Sequence, residues 1–343
     1  MKKITMLLAG LMLYIVGMPV QADDPVHFIP KDAVLLVYFD AARLTDMPWL
    51  KDIGSAHPDT SDRVKTFEAL CTQFKIKQND FFSGAVYVAA RDENQIGIYA
   101  QTNVAENVLL PFVSAMMKQG DKSVTVSETT IAGHKAFVFN DTTKNGNQSF
   151  ALAYLANNVV IVFQVNDANA ELLKASTGGC ALLSKIDRKQ LAAVICEPIK
   201  MVASDDAAAK PDVTLIDARL DLTGEKQSDL ALVADIDFTT KEKTQAFGMQ
   251  TQMVAPMMLG MIFGKDQQLA GNIIQGLQIT MPTDTRLAIR LTLPEATLKA
   301  IGEYVKNPAN MPNFEQPGVG GAQEGTGTAA PAASSSAAPA SRP

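Results

Sequence analysis

The sequence predicts an α+β fold of two domains, each an antiparallel sheet with helices packed on one face, built from recurring strand–turn–strand–helix (ββα) units. Three observations predict it. Apolar and polar residues alternate in pairs of short segments joined by turns, a run opening on a helical cap follows most pairs, and the composition suits a buried core, with 47% hydrophobic and 19% charged residues over 343 positions.

The clearest unit spans 213–263. Ile216, Ala218, Leu220 and Leu222 alternate with Asp217, Arg219 and Asp221, and Leu230, Leu232, Ile236 and Phe238 alternate with Asp235 and Asp237. One face of this hairpin is core and the other wet. Gly224-Glu225-Lys226 supplies its turn, and Thr239 with Glu242 forms a capping box before a helical run. A second unit runs from Leu277, Ile279 and Met281 through Pro282-Thr283-Asp284 to Leu287, Ile289, Leu291 and Leu293, and Pro294-Glu295 opens a helix to about Lys306.

The first half follows the plan less regularly. Strands at 82–90 and 95–101 flank Asp92-Glu93-Asn94, with Asn103 and Glu106 capping the next helix. A hairpin at 123–129 and 134–139 turns at Ala132-Gly133. Strands at 149–155 and 158–165 flank Ala156-Asn157, and Asn166-Asp167 begins a short helix. The caps are unevenly spaced, which indicates recurring supersecondary structure and not a solenoid.

The expected organisation is a signal peptide at 1–22, a first α+β domain at 23–176, a connecting segment at 177–212, a second α+β domain at 213–306, and a disordered tail at 307–343. Lys2 and Lys3, the apolar run Met6 to Val16 and the small-residue site Val20-Gln21-Ala22 form a secretory signal. Leu8-Ala9-Gly10 is followed by Leu11, so the Cys that a bacterial lipid anchor requires is missing from that motif. The apolar run is shorter than the ~20 residues of a membrane span, and the expectation is an exported protein, periplasmic or secreted, with no transmembrane span in the mature chain. The Pro/Gly/Ala/Ser-rich tail has little to bury against its ordering entropy.

Cleavage of the signal removes two lysines, which leaves 28 basic against 36 acidic residues, a formal charge of −8. Nucleic-acid binding needs a basic surface, so no nucleic-acid partner is expected. Cys71, Cys180 and Cys196 are an odd number, and at least one is a free thiol or pairs with another chain. Cys71 shares a helical face with Val64, Phe67 and Phe74, which points to burial, whereas Cys180 and Cys196 could bridge a short loop.

Catalytic constellations do not form in the sequence. His27, His57 and His134 are far apart, and neither a CxxC pair nor a Gly-x-Ser-x-Gly elbow occurs. Gly260-Met261-Ile262-Phe263-Gly264-Lys265 is one residue short of a phosphate loop and has Asp266 where Ser or Thr would hold magnesium. Asp217, Asp221, Asp235 and Asp237, with Arg219, Arg286 and Arg290, could be a carboxylate site, but their alternating signs suit cross-strand pairing. No catalytic residues, cofactor or metal ligands are assigned.

Met249, Met253, Met257 and Met261 recur at every fourth position, with Met258 alongside, and Pro256 is expected to kink the run. The simplest expectation is that they fill the core beneath the sheet. If exposed, they are the best candidate binding surface: thioethers suit Cu(I), an apolar ligand or a partner helix.

The opening of the mature chain, Phe28-Ile29-Pro30-Lys31-Asp32-Ala33-Val34 leading into Leu35-Leu36-Val37-Tyr38-Phe39-Asp40 and an amphipathic run from Leu44 to Ile53, resembles exported bacterial proteins of unknown function. Leu293-Pro294 before the last helix is similar to the same group. The resemblance implies an envelope or secreted protein and carries over no catalytic residues. The functional expectation is an exported, non-enzymatic protein-interaction or structural module with a protein or envelope partner; the alternative is a periplasmic carrier of an apolar ligand.

Overall fold

The computed structural model of the chain describes residues 25–45, 47, 58–77, 84–92, 94–120, 124–141, 148–155, 158–165, 169–173, 179–201, 211–224, 228–307 and 310. The signal segment 1–22, His57, the 203–210 stretch, several loop residues and nearly all of the 307–343 tail lie outside the described residues.

Twelve strands form one antiparallel sheet: β1 Leu35–Asp40, β2 Ala85–Ala90, β3 Ile96–Gln101, β4 Val124–Ile131, β5 His134–Asp141, β6 Gln148–Tyr154, β7 Val159–Gln164, β8 Ala192–Cys196, β9 Val213–Thr223, β10 Asp229–Phe238, β11 Leu277–Thr283 and β12 Arg286–Leu293. Their order across the sheet is β11-β12-β10-β9-β8-β1-β2-β3-β7-β6-β5-β4. The helices are α1 Ala41–Thr45, α2 Pro58–Phe74, α3 Glu106–Gly120, α4 Pro198–Met201, α5 Lys241–Ile262, α6 Gln267–Gln275 and α7 Glu295–Lys306.

This architecture corrects the expected pair of α+β domains with separate sheets of ββα units. The correction rests on β8, which lies inside the expected connecting segment. Leu36 pairs with Ile195, and Ile195 pairs with Asp217, so β8 joins the first strand of the chain to the second half's hairpin. A five-residue apolar run carries no period by which a strand is recognised. Its partners lie about 20 residues downstream and more than 150 upstream, so its role exists only in the assembled sheet.

Local chemistry accounts for several elements. The β4–β5 hairpin turns on Ala132 at φ 51° and Gly133 at φ 87°, the two left-handed residues that a two-residue type I′ loop needs. The cap of α5 is Thr240, one residue beyond the expected Thr239, and its hydroxyl accepts from the Lys243 N–H at 3.4 Å. Asp266 caps α6 by accepting from the Leu269 N–H at 2.9 Å, so the phosphate-loop lookalike is the end of one helix and the cap of the next.

The register assigns each residue to a sheet face. On one face, Leu36, Tyr38, Tyr87, Tyr99, Ile161 and Ile195 are buried beneath the 3-10 turns Pro25–Phe28, Asn169–Leu173 and Ala181–Lys185. Crossing from β8 to β9 on that same face, Ala193 and Ile195 give way to Arg219 and Asp217. On the opposite face, α2 and α3 cover the first half, with Phe67, Cys71, Leu110 and Phe112 in the core. The second half packs Leu230, Leu269, Ile273, Leu293, Leu298 and Tyr304 beneath α6 and α7. The sheet therefore has core on both sides at one end and on one side at the other.

Candidate functional site

α5 is oriented against its composition. It runs uninterrupted through Pro256 and packs on β11, β10 and β12. Over its first four turns its sheet-facing residues are small, before Leu259 packs on the core at its far end: Thr244 and Gly248 are buried, and Thr251 and Ala255 are half-buried. Their 4-3-4 spacing keeps them on one side of the helix. Gly248 makes the close approach possible, because a Cβ there would stand 3.2 Å from Leu287 Cδ1 and 3.5 Å from Met281 Sδ.

The methionines face the other way. Met249, Met253, Met257 and Met261 are 58%, 71%, 57% and 63% exposed, while Met258, 48% exposed, lies on the flank of the helix nearer Thr251. At about 100° per residue, the four-residue row is centred roughly opposite Thr244, Gly248, Thr251 and Ala255. The expectation that these methionines fill the core is thereby corrected. Small residues take the inner face, and the close contact they allow leaves no space there for a long thioether. The 4-3-4 row of small residues was the sequence signal for this orientation.

The helix is fixed at both ends. Lys241 reaches Asp284 at 3.0 Å and Lys243 reaches Asp212 at 2.9 Å. At the far end the Tyr304 hydroxyl donates to the Ile262 carbonyl at 2.9 Å, and the Phe263 and Tyr304 rings lie 5.2 Å apart. Between them, Gln252 Nε2 donates to the Ile279 carbonyl on edge strand β11 at 3.4 Å, and Phe247 packs on Phe238 at 5.3 Å. β11 adds Met281, 46% exposed, beside Gly248. This is a firmly held helix carrying exposed thioether side chains. Full burial of one such side chain is worth roughly 1.5–3 kcal/mol, which its exposure leaves unrealised.

The charged sheet face takes the form of ion pairing. Arg286 grips Asp237 through Nε at 2.6 Å and Nη2 at 2.8 Å, directly across the β10–β12 ladder. Arg290 reaches Asp235 at 2.8 Å, and Arg219 reaches Asp217 at 2.6 Å. Asp217 and Asp235 stand opposite one another in the register, and these arginines offset their repulsion. Asp221 lies 3.7 Å from Arg43 of α1. Among the described residues, no cluster of His, Cys, Asp and Glu is arranged to hold a metal.

His27 is exposed in the first 3-10 turn and His134 opens β5; the structure brings neither to a carboxylate or thiol cluster. All three cysteines are buried and free, so Cys180 and Cys196 do not form the bridge that their spacing allowed. Burial, with Glu68 nearby, pushes the Cys71 thiol up from 9.0 to about 11. Desolvation also raises Cys180 and Cys196, and Cys196 Sγ contacts Met201 Sδ at 3.5 Å. Protonated, buried thiols are poor nucleophiles.

A second apolar feature went unnoticed in the sequence. Ile98, Val88, Val37, Val194 and Ala218 form one cross-strand row over five strands on the helix-bearing face, and all are half-buried. The row exists only through the pairing of β1 with β8. No helix among the described residues is long and apolar enough to cross a membrane. Comparison with protein-family models, curated proteins and solved structures found no match to this chain.

Proposed function

We propose that the chain is an exported, non-enzymatic binding module whose working surface is the methionine face of α5, and that it docks the apolar face of a protein in the cell envelope. The carrying observation is the exposure of Met249, Met253, Met257 and Met261 on the side of α5 opposite its packed face. Thioether chains are flexible and polarisable, and they adapt to an apolar partner without needing a matched polar geometry. Export rests on the signal-like first 22 residues, and N-terminal sequencing of the chain recovered from its host should begin at Asp23.

Methionine oxidation tests the docking surface. Peroxide should convert Met249, Met253, Met257, Met258 and Met261 to sulfoxides quickly in the dilute purified chain and several-fold more slowly in intact cells, where the partner covers them. Equal rates in both settings, read by peptide mass spectrometry, would sink the reading.

The half-buried row from Ile98 to Ala218 supports a second reading, a carrier of an apolar ligand. Native mass spectrometry of the chain purified from its host should then show a bound small molecule, and a mass equal to the bare mature chain would exclude it.

A further inference from the structure

The partner's chemistry can be narrowed further, given the docking reading above. From Thr244 to Gly264 the chain has 21 consecutive residues without a charge, and Lys241, Glu242 and Lys243 stand before them and Lys265 and Asp266 after. A charged group pressed onto such a face would lose water and gain no counter-charge, so the complementary surface must itself be uncharged. Of the nine large apolar side chains exposed among the described residues, Met249, Met253, Met257 and Met261 form this one face, whereas Phe247 packs on Phe238 and Met281 lies against Gly248 on the other side of α5. Among the described residues of this chain, the uncharged apolar surface that complements such a row is the same row, so the occupant it fits is this face on a second copy.

We infer that two copies of the chain associate through α5, face to face about a two-fold axis that crosses the helix between Met253 and Met257. A row spaced by four residues reads the same from either end, so a two-fold rotation lays it on its counterpart. That is the self-complementarity an isologous interface requires. Rows at i±4 are the ridges that interdigitate when two helices cross at about −50°. Ala246 and Gly260 are exposed among the methionines, and nothing lies within 4 Å of a Cβ built at Gly260, so the face has hollows to receive ridges. Edge-to-edge pairing of β11 is the poorer route, because its register breaks between Thr280 and Thr283, Pro282 removes a donor, and Gln252 occupies the Ile279 carbonyl.

Each mature copy is acidic, and its charges lie outside the contact. Their long-range repulsion is screened by salt, so association strengthens as ionic strength rises. Light scattering on the purified mature chain should give the mass of two chains at tens of micromolar, with a dissociation constant that falls between 50 mM and 500 mM salt. Met253→Glu with Met257→Glu should give one chain at every concentration, with an unchanged circular dichroism spectrum. The native cysteines are buried, so Met253→Cys and Met257→Cys, mixed and oxidised, should give a cross-linked dimer that Lys299→Cys on α7 does not. A single-chain mass at 100 μM together with no cross-link overturns the inference. If methionine protection in intact cells persists in that case, the docking surface stands with a different partner; if protection is also lost, both readings fall.

Discussion

α3 and α5 occupy comparable places in the two arms of the sheet, each following an outward-going strand pair, and each holds a proline in mid-helix, Pro111 and Pro256. They solve opposite problems. α3 drives Leu109, Leu110, Phe112 and Val113 into the core, where the Phe112 ring meets Phe67 and Phe74 edge-on at 5.6 and 5.7 Å. α5 turns Thr244 and Gly248 inward and leaves its five methionines in water. Apolar content therefore does not say which side of a helix is the core side. The inner face is set by what the underlying sheet can accommodate, and large residues excluded from it become surface.

Large-to-small changes should break the symmetry between the helices most visibly. Phe112→Ala should lower stability by about 3–5 kcal/mol, because it removes a fully buried ring and leaves a cavity. A chemical-denaturation midpoint close to wild type would mean that α3 is not anchored as described. Next in size, Gly248→Leu should cost about 1–3 kcal/mol by forcing α5 away from Leu287 and Met281. The same substitution at exposed Gly260 should be nearly neutral, and equal effects at the two sites would contradict the close approach.

The buried Cys71 thiol of α2 should give a smaller effect. The Cys71 thiol is raised to about 11 from 9.0, chiefly by burial and then by Glu68. Below pH 9 both folded and unfolded forms hold the proton and its contribution to stability is complete. As pH rises from 9 to 11 the unfolded chain ionises first and stability falls. Cys180, Cys196 and Tyr99 are also raised by burial, so Cys71→Ala should make this alkaline decline shallower without abolishing it. An identical decline in the variant would count against the buried thiol. The smallest expected change is Met257→Ala, within about 0.5 kcal/mol of wild type in the dilute chain, as for a side chain with no core to leave. A loss of 2 kcal/mol would place that methionine in a core.

Sequence pattern and structure agree where a segment's own residues set the outcome. Alternation over 216–222 and 230–238 assigns one apolar and one charged face, and the register keeps it: Leu220 lies opposite Leu232, while Arg219 lies opposite Val233 among the carboxylates. The Ala132-Gly133 turn is equally local, needing only two residues that tolerate positive φ. The candidate site was legible in part. The row of four methionines stands out by spacing alone, but spacing has no sign: a stripe at i, i+4 fits a core or a surface equally. Thr244, Gly248, Thr251 and Ala255 carried the missing sign, because a row of small residues marks where a helix lies close to its support.

By itself, the sequence determined the five hairpin pairs, the Ala132-Gly133 turn, the openings of α3 and α7, the acidic balance and the absence of charge along Thr244 to Gly264, since each depends on residues within a few positions of one another. The last hairpin turns at Asp284-Thr285 and not at the expected Pro282-Thr283-Asp284, because β11 continues through Thr283. Only the tertiary structure decided that there is one sheet and not two, through β8 bridging β1 and β9 across some 150 residues of chain. It also decided that the methionines face water. Both outcomes are long-range choices of partner, set by which surfaces fit together after folding, and no window of local sequence records the shape of the surface it will meet.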